Sequence, residues 1–425
     1  MKLAVIGGGS TYTPELVEGI ARLAGEIEVG ELVLVDPDEA RLALVGPFSA
    51  RIMRAYGHPG RLRWTSSLAD GLDGAGAVLL QLRVGGQAAR QRDETWPLEY
   101  GRVGQETTGA GGLAKALRTV PVVLEIAEQA RQRAAPGAWI IDFTNPVGIV
   151  TRALLDAGHR AVGLCNVAIG FQQMFAALLG VAPEQVSLDH AGLNHLTWER
   201  AVLVDGTDRL PDLLAAHGGQ IAAEIELPAA ILHDLGVIPS YYLRYFYAHD
   251  EVVAELRGRP TRAETVAHIE RDLLTMYADP SLDHKPALLG ERGGAYYSEA
   301  AVALLASLAG DRRDVQVVNM RNAGTFPFLP GDAVIEVPAV IRADGPVRPR
   351  LAPLSPLLRG LVAQVSAYEE LAVEAAIRGG RRRVMTALLA HPLVGQYDLA
   401  GRLADRLIAE NAQYLPWAAQ VGSRG

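Results

Sequence analysis

Three polar or reactive side chains follow short apolar segments in the first half of this 425-residue chain. Arg83 comes after VLLQL, Asn145 after WIIDFT, and Cys165, the only cysteine, after AVGL. A lone cysteine is often only a packing residue. If the apolar segments are consecutive parallel strands, however, their carboxyl ends meet at one edge of the sheet, where ligands bind. The pattern favours one shared site over three unrelated positions.

A histidine and a group of tyrosines farther along the chain are candidates for the same site. His195 lies in GLNHLTW, and cysteine with histidine suits a divalent transition metal that keeps coordination positions open for a substrate. The segment YYLRYFY (241–247) contains four tyrosines. A nearby cation can lower the pKa of a tyrosine and make it a base. A buried aromatic group without any chemistry remains the alternative interpretation at this point.

Arg292 precedes two glycines and a predicted helix start in ERGGAYYSEAAVALL, a setting suited to holding an anion. The planar guanidinium group of arginine also pairs well with phosphate oxygens. Arg83 and Arg292 are therefore candidates for binding a phosphorylated ligand, although each taken alone could instead form a structural ion pair.

These side chains need a scaffold, and the N-terminal segment predicts one that binds a nucleotide. KLAVIG is typical of a buried strand, GGGST of a sharp turn, and PELVEGIARLAGEI of an amphipathic helix. We expect Gly7 and Gly9 to let the backbone approach a pyrophosphate. Ser10 and Thr11 follow them at the helix N-terminus, where free N–H groups and the helix dipole favour an anion.

A second predicted strand, ELVLVDPD, ends at Asp36. A carboxylate at this place can accept the ribose hydroxyls of adenosine and repels the extra phosphate of NADP, so Asp36 favours NAD. Nearby Arg41 is a further cofactor-binding candidate, and because an arginine here can accommodate the 2′-phosphate, NADP stays open as the alternative. Tyr12 stands where the third glycine of G-x-G-x-x-G is expected, which weakens the motif without removing it.

Strands continue to alternate with helices as far as Cys165, which predicts an α/β fold with a doubly wound parallel sheet. We expect a Rossmann-like NAD-binding domain at residues 1–165. The alternation then stops, and residues 166–425 are expected to form a mixed α+β domain for catalysis, substrate binding and oligomerisation. Its C-terminal segments have helical apolar stripes, which we assign to packing and subunit contacts.

Composition excludes several classes of protein. The net charge of -8, without a basic stripe, argues against a nucleic-acid partner, and the cluster in 378–383 is interpreted as a solvated helix junction. No apolar run approaches the roughly 18 residues of a membrane-spanning helix. The N-terminal apolar run is too short for a signal peptide, and a single cysteine agrees with a reducing compartment, so we expect a cytoplasmic protein.

Taken together, these segments resemble glycoside hydrolase family 4, the NAD-dependent glycosidases that also need a divalent metal. The segments that carry the resemblance run in family order along nearly the whole chain: VIGGGSTYTPEL, QLRVGGQAARQRDE, GQETTGAGGLAKALRT, DFTNPVG, GLCNVAIG, GLNHLTW, IPSYYLRYFY and RGGAYYSEAAV. The Cys-Asn pair resembles the 6-phospho-β-glucosidases within the family. Those proteins usually continue with Val-Pro, whereas Ala168 replaces the proline in this chain.

The resemblance implies a role for each candidate residue. Cys165 and His195 match the metal ligands, most often for Mn²⁺, and Tyr242 matches the base, with Tyr241 a close alternative. The positions that hold the sugar and its 6-phosphate match four residues: Arg83, Asn145, Asn166 and Arg292. Where α-acting relatives carry an acidic residue, this chain carries the Asn166 amide, which has no ionisable proton to give. Glu106 matches a recurrent segment near the site without an assigned role.

The implied activity is the hydrolysis of 6-phospho-β-glucosides to glucose 6-phosphate and an aglycone by redox, elimination and addition. Family 4 departs from the two-carboxylate scheme of most glycosidases. NAD⁺ takes a hydride from C3 of the sugar, a base removes the C2 proton, and the metal stabilises the enediolate while the aglycone leaves C1. Water then adds to C1 and the hydride returns. Family members are usually homodimers or homotetramers.

Two other interpretations of the residues stay open. A 2-hydroxyacid dehydrogenase of the lactate and malate type shares the glycine turn and a Thr-Asn-Pro segment, and the predicted architecture resembles those enzymes. Such a dehydrogenase needs no metal, however, and the pair Cys165 and His195 argues against it. A non-catalytic NAD-binding sensor is the second alternative, and the presence of both ligands and the base argues against that.

Overall fold

The computed structural model describes residues 1–294 and 296–418, and within them thirteen strands form one sheet. The strands are β1 Lys2–Ile6, β2 Glu31–Val35, β3 Arg61–Thr65, β4 Ala77–Leu80, β5 Trp139–Asp142, β6 Ala161–Gly163, β7 Val186–Leu193, β8 Leu196–Val204, β9 Thr207–Asp208, β10 Ile238–Pro239, β11 Val315–Arg321, β12 Val334–Arg342 and β13 Gly345–Val347.

Helices cover the sheet and extend beyond it. They are α1 Thr13–Arg22, α2 Glu39–Ala55, α3 Leu68–Leu72, α4 Gly86–Glu99, α5 Gly109–Arg133, α6 Val147–Asp156, α7 Val167–Leu179, α8 Leu210–Glu224, α9 Ala229–Leu235, α10 Arg244–Tyr247, α11 His249–Arg257, α12 Arg262–Tyr277, α13 Leu288–Glu291, α14 Tyr297–Gly310, α15 Pro356–Arg378, α16 Arg381–Ala390 and α17 Tyr397–Asn411. No helix in this part of the chain is both long and apolar enough to cross a membrane.

The first six strands lie parallel in the order β3-β2-β1-β4-β5-β6. This is the strand order of the dinucleotide-binding fold, whose ligand crevice lies where the order reverses between β1 and β4. β1, β2 and β4 are almost wholly apolar and buried because helices cover both faces of the sheet. The predicted doubly wound sheet is confirmed.

The sheet does not end at β6 but continues with antiparallel strands β11, β12, β7, β8 and β10. Asn319 of β11 pairs with Gly163 of β6, so the parallel and antiparallel parts share backbone hydrogen bonds. Cys165 lies two residues after that junction. The mixed α+β organisation predicted for the second half is confirmed, whereas a domain boundary between residues 165 and 166 stays a prediction.

The C-terminal helices return to the nucleotide-binding half. α15, α16 and α17 pack against α5, and their apolar faces join the same buried core as β1 and β4. The basic cluster lies at the junction of α15 and α16, where Arg378 and Arg383 pair with Glu374. This placement agrees with the predicted helix junction.

Two details of the sequence interpretation were wrong or incomplete. Edge strand β3 (RLRWT) was not predicted, because its side chains are half-buried or exposed and lack the apolar run of its neighbours. The segment VSLDHAGLNHLTWERAVL predicts two strands joined by a turn that contains its glycine. Instead, Asn194 and His195 form the turn, while Gly192 lies in β7, where a Cβ would be 2.0 Å from the Leu196 carbonyl oxygen.

Candidate active site

The glycine turn between β1 and α1 is built by close backbone contacts. The N–H groups of Gly7 and Gly8 both donate to the Val35 carbonyl oxygen, at 2.9 Å each. Gly7 has φ +87°, and a Cβ there would lie 2.9 Å from the carbonyl oxygen of Gln81. Only glycine fits such a position without strain. The turn therefore leaves bare backbone at the end of β1, as a pyrophosphate site requires.

Asp36 and Arg41 both hold this turn. One Asp36 oxygen accepts from the Gly9 N–H at 3.0 Å and the other accepts from the Asp38 N–H at 3.0 Å. Burial raises the pKa of the Asp36 carboxyl from its usual value despite these bonds. Arg41 Nε donates to the Gly9 carbonyl oxygen at 2.9 Å. Both predicted cofactor residues thus contact the glycine turn directly.

Arg292 also contacts the glycine turn between β1 and α1. Its Nε donates to Thr11 Oγ1 at 2.7 Å, and its Nη2 lies 3.3 Å from Ser10 Oγ and 3.2 Å from a Glu270 oxygen. Glu270 of α12 also pairs with Arg41, at 3.5 Å. The structure therefore places Arg292, expected near the sugar phosphate, in contact with two predicted cofactor residues.

Cys165 lies at the end of β6, immediately before α7. Near its sulfur lie the backbone N–H groups of Asn166 and Val167 and the side chain of Asn194. Asn166 is the residue that precedes the helix. Burial, followed by the charge of Glu336, raises the pKa of the Cys165 thiol well above its usual value. A positive charge beside the sulfur is what would favour the thiolate here.

His195 occupies the second position of the two-residue turn between β7 and β8. Its φ is +61°, a left-handed conformation that is uncommon for residues other than glycine and is often found at functional sites. Nδ1 lies 2.8 Å from Thr107 Oγ1. Burial lowers the pKa of His195 to about 4, so the imidazole is neutral at physiological pH. A neutral imidazole can act as a metal ligand.

Tyr242 stacks on His195, with ring centroids 3.5 Å apart and planes 7° from parallel. It lies in the short 3-10 turn that comes directly after β10. Because β10 pairs with β8, this turn lies beside the β7–β8 hairpin. Burial and the nearby Cys165 raise the pKa of the Tyr242 phenol well above its usual value. The alternative base, Tyr241, instead accepts a hydrogen bond from Arg244 at 2.9 Å.

Arg83 and Asn145 follow β4 and β5 on the same edge of the sheet. The Arg83 guanidinium pairs with both oxygens of Glu106. The Asn145 side-chain oxygen is buried and has no hydrogen-bond partner among the described residues. A buried polar atom without a partner costs free energy unless a ligand or water binds to it. The structure therefore leaves Asn145 with an acceptor to offer.

Two family models together cover most of the chain. The family 4 glycosyl hydrolase model matches residues 2–181, and its C-terminal domain model matches residues 190–394. The chain belongs to family 4 of the glycosyl hydrolases.

Curated family 4 relatives match over nearly the full length. A probable 6-phospho-β-glucosidase of Bacillus subtilis is 40% identical over 431 residues, covering 98% of this chain and 97% of the relative. The 6-phospho-β-glucosidase of Escherichia coli is 35% identical and covers 98% of this chain and 96% of the relative.

Solved structures give the same result. The 6-phospho-β-glucosidase of Thermotoga maritima with manganese, NAD⁺ and glucose-6-phosphate is 31% identical, has a TM-score of 0.92, and covers 97% of this chain and 99% of that one. Malate dehydrogenase from Salinibacter ruber is 17% identical with a TM-score of 0.53, covers 90% of this chain and 98% of that one, and so shares the fold alone. The predicted family and the dehydrogenase-like architecture are confirmed.

The interpretation of the sequence missed much of a buried charge cluster in this family 4 chain. Glu106 was named without a role, and it accepts from Lys115 at 2.6 Å as well as from Arg83, while Arg90 lies 3.3 Å away. Burial alone would raise the pKa of Glu106, but the three cations outweigh it and hold that pKa well below its usual value. The available signal was a lysine in the otherwise small and apolar segment GAGGLAKAL.

A second group that the interpretation of the sequence missed contacts the turn of the β7–β8 hairpin. Glu336 of β12 accepts from the side-chain amides of Asn194, at 2.9 Å, and Asn319, at 2.8 Å. Its other oxygen lies 3.1 Å from His190 Nε2, and Nδ1 of that ring lies 2.6 Å from Glu199. Burial alone would lower the pKa of His190, but the two glutamates raise it to about 10. His190 is thus part of a buried ionic network.

The donor set fits a divalent transition metal with a substrate as co-ligand. Among the described residues no group of three or more His, Cys, Asp or Glu side chains could hold a metal. Cys165 and His195 supply sulfur and nitrogen, and Thr107 contacts the His195 ring at Nδ1, on the side opposite to Nε2. Two protein ligands leave positions free for other donors, which suits a catalytic metal. The glycine turn fits the pyrophosphate of NAD, because it leaves bare backbone at the end of β1.

Proposed function

We propose that this chain hydrolyses 6-phospho-β-glucosides to glucose 6-phosphate and an aglycone. One observation carries the proposal. Over nearly its whole length the chain is 33–40% identical to three proteins named as 6-phospho-β-glucosidases, one of them called probable. The stack of Tyr242 on His195, and the position of Cys165 just after β6, support the same activity. The residue roles that follow belong to the proposal.

The cofactors of the proposed reaction are NAD and a divalent metal, most often Mn²⁺. Gly7, Gly9, Ser10 and Thr11 would receive the dinucleotide. Asp36, at the end of β2, and Arg41, in α2, contact the same turn. Cys165 and His195 would hold the metal. When bound, these groups supply hydride acceptance from the sugar and charge withdrawal from its oxygens, which acidifies the C2 proton.

Tyr242 is the proposed base for the C2 proton. Its ring contacts His195, so its position is fixed relative to a proposed metal ligand. A cation lowers the pKa of a neighbouring phenol, which opposes the effect of burial. Tyr241 is a weaker candidate because its hydroxyl is already bonded to Arg244.

Four residues would hold the phosphorylated sugar. Arg83 belongs to a cluster in which three cations face the Glu106 carboxylate, and the excess positive charge suits a phosphate. Asn145 offers a buried acceptor for a sugar hydroxyl. Asn166 precedes α7 beside Cys165, and its amide agrees with a β linkage, where no acid is needed at this place. Arg292 would reach the sugar phosphate from beside the glycine turn, where it contacts Thr11.

A chromogenic assay tests the activity. The protein is incubated with a 6-phospho-β-glucoside, NAD⁺ and Mn²⁺, while aglycone release and absorbance of NADH are followed together. We expect release without accumulation of NADH, and slower release from the unphosphorylated glucoside. Stoichiometric NADH without aglycone would identify a dehydrogenase instead. Binding of NAD⁺ with neither product would identify a sensor.

Two broader features belong to the same proposal. We infer a homodimer or homotetramer, supported by large apolar side chains that α15 and α17 expose: Leu357, Ile377 and Tyr397. We also infer a cytoplasmic location, because a single cysteine without a disulfide partner in the chain agrees with a reducing compartment. Residues 1–165 would bind the nucleotide and residues 166–425 would complete the catalytic site.

A further inference from the structure

A short chain of hydrogen bonds leads from Gln105 through Thr107 to the His195 ring. Gln105 Oε1 accepts from the backbone N–H groups of Thr107, at 2.5 Å, and Thr108, at 2.8 Å. The Thr107 hydroxyl oxygen lies 2.7 Å from Gln105 Oε1 and 2.8 Å from His195 Nδ1. The three side chains thus form one continuous row of donors and acceptors.

The direction of each bond follows from the end at Gln105. The Gln105 atom that faces two N–H donors must be the carbonyl oxygen, because an amino group there would face donors only. A carbonyl oxygen has no proton, so the hydrogen between it and Thr107 comes from the threonine hydroxyl. That hydroxyl has a single hydrogen, and its oxygen can only accept from the His195 ring.

His195 Nδ1 therefore carries the hydrogen of the neutral imidazole. In that tautomer the lone pair belongs to Nε2, the ring nitrogen on the opposite side. Metal-binding histidines are generally oriented in this manner by an acceptor at the other nitrogen. The left-handed backbone and the stack on Tyr242 fix the ring plane, which leaves the Thr107 contact to select the tautomer.

The loop that carries Gln105 and Thr107 is itself held tightly against α5. A Cβ on Gly111 would lie 2.4 Å from the Gln105 carbonyl oxygen, and one on Gly112 would lie 2.5 Å from the Thr107 carbonyl carbon. The two glycines thus let the loop backbone lie directly on the helix. A loop packed this closely can hold Thr107 Oγ1 at a fixed place.

We propose that Gln105 and Thr107 are positioning residues that keep His195 in the Nδ1–H tautomer, so that Nε2 presents its lone pair to a divalent metal. The inference rests on the proposed role of His195 as a metal ligand. Gln105 accepts the hydrogen of the Thr107 hydroxyl. The Thr107 oxygen is then left to accept the hydrogen of His195 Nδ1. In this proposal both residues act on the metal only through the His195 ring.

The test compares two substitutions that differ by one hydroxyl. Thr107→Val keeps the shape but removes the acceptor, whereas Thr107→Ser keeps the acceptor. Free Mn²⁺ is measured by electron paramagnetic resonance as each protein is titrated with the ion, without a sugar. We expect Thr107→Val to weaken Mn²⁺ binding by about 10- to 100-fold. Thr107→Ser should bind the ion as the parent does, and both should bind NAD⁺ normally.

A third variant distinguishes the role of His195 as a metal ligand from the positioning role of Thr107. If His195→Ala binds Mn²⁺ as well as the parent, His195 is not a ligand and the proposed site fails. If His195→Ala loses the ion while Thr107→Val retains parental affinity, the metal site stands and the positioning role is overturned.

Nitrogen-15 NMR of ring-labelled histidine gives an independent readout in the metal-free protein. The parent and Thr107→Ser should show Nδ1 of His195 protonated, while Thr107→Val should show a mixture or the Nε2–H form. An unchanged Nδ1–H signal in Thr107→Val would contradict the proposal.

Discussion

The contact between His195 and Tyr242 brings together two proposed roles, that of a metal ligand and that of a catalytic base. The imidazole is held from one edge by Thr107 and from one face by the phenol. A phenylalanine at position 242 can keep the face-to-face contact while it loses only the hydroxyl. The role of the hydroxyl can therefore be separated from the role of the ring.

We predict that Tyr242→Phe loses about 10²- to 10⁴-fold in kcat, the usual contribution of a positioned base. NAD⁺ and Mn²⁺ binding should remain, because the stacked ring is preserved. The measurement is kcat with a chromogenic 6-phospho-β-glucoside, alongside both affinities. Tyr241→Phe is the matched control, and its hydroxyl bond to Arg244 has no part in the proposed reaction. A fully active Tyr242→Phe together with an inactive Tyr241→Phe would exchange the two assignments.

Asp142 has a stability effect that depends on pH. It lies at the end of β5, fully buried, and accepts from the Thr144 N–H at 2.8 Å and from Thr151 Oγ1 at 3.3 Å. Burial outweighs these bonds and raises its pKa to about 8. In the unfolded chain an aspartate titrates near pH 3.9, so the folded state binds the extra proton between about pH 4 and 8. Stability from this group is present below that window and is lost as pH rises through it.

Replacing Asp142 with asparagine should remove this loss. Asp142→Asn keeps the shape and stays neutral, so we predict that its advantage in unfolding free energy over the parent grows by on the order of 1 kcal/mol or more from pH 5 to pH 8.5. Urea unfolding at both pH values measures it. Asp344→Asn, on an exposed turn, is the control and should show no such change. An Asp142→Asn effect that is equal at both pH values would show that the carboxyl is already ionised at pH 5.

Among the elements, the turn between β1 and α1 depends most on one residue. We predict that Gly7→Ala costs about 1–3 kcal/mol in stability, because a methyl group at φ +87° would meet the backbone of Gln81 and Leu82. NAD⁺ affinity should fall with it. Gly25→Ala is the matched control, since a Cβ there meets no atom within 4 Å. Fluorescence titration with NAD⁺ and thermal unfolding measure the two effects. Unchanged NAD⁺ affinity in Gly7→Ala would remove this turn from the proposed cofactor site.

The elements that the sequence predicted well are those whose pattern is local. β1, β2, β4 and β5 are apolar runs, and the helix after the glycines has its own stripe. β3 was missed because Arg61 and Arg63 alternate with less polar residues at the exposed edge of the sheet. The start of α5 was missed because it contains three glycines, which usually end a helix but here allow close backbone contact.

The candidate site was predictable only in part for a related reason. Cys165, His195 and Tyr242 stand in recognisable segments, so their residue types could be named. Glu336 and Asn194 are far apart in the sequence, and they meet because β12 pairs with β7. No local pattern contains that pairing. Supporting residues of this kind need the folded sheet before they can be identified.

At the scale of the whole molecule, one sheet connects the nucleotide turn to the hairpin that carries His195. The C-terminal helices pack on α5, beside the cluster of Glu106 and Lys115. The elements that carry the two halves of the site therefore share one hydrophobic core.

We predict that light scattering after size-exclusion chromatography gives two or four times the chain mass of 45.3 kDa. The apolar side chains exposed by α15 and α17 are the reason for this expectation, since burial of such surface stabilises an assembly. A single peak at the mass of one chain, across protein concentrations, would contradict it.

The turn of Asn194 and His195 has only two residues, and each serves a different part of the site. The first supports Cys165 and Glu336, while the second faces Thr107 and Tyr242. One inserted residue would rotate both away from their partners at once. We therefore expect a change in the length of this loop to be more damaging than a substitution at either position alone.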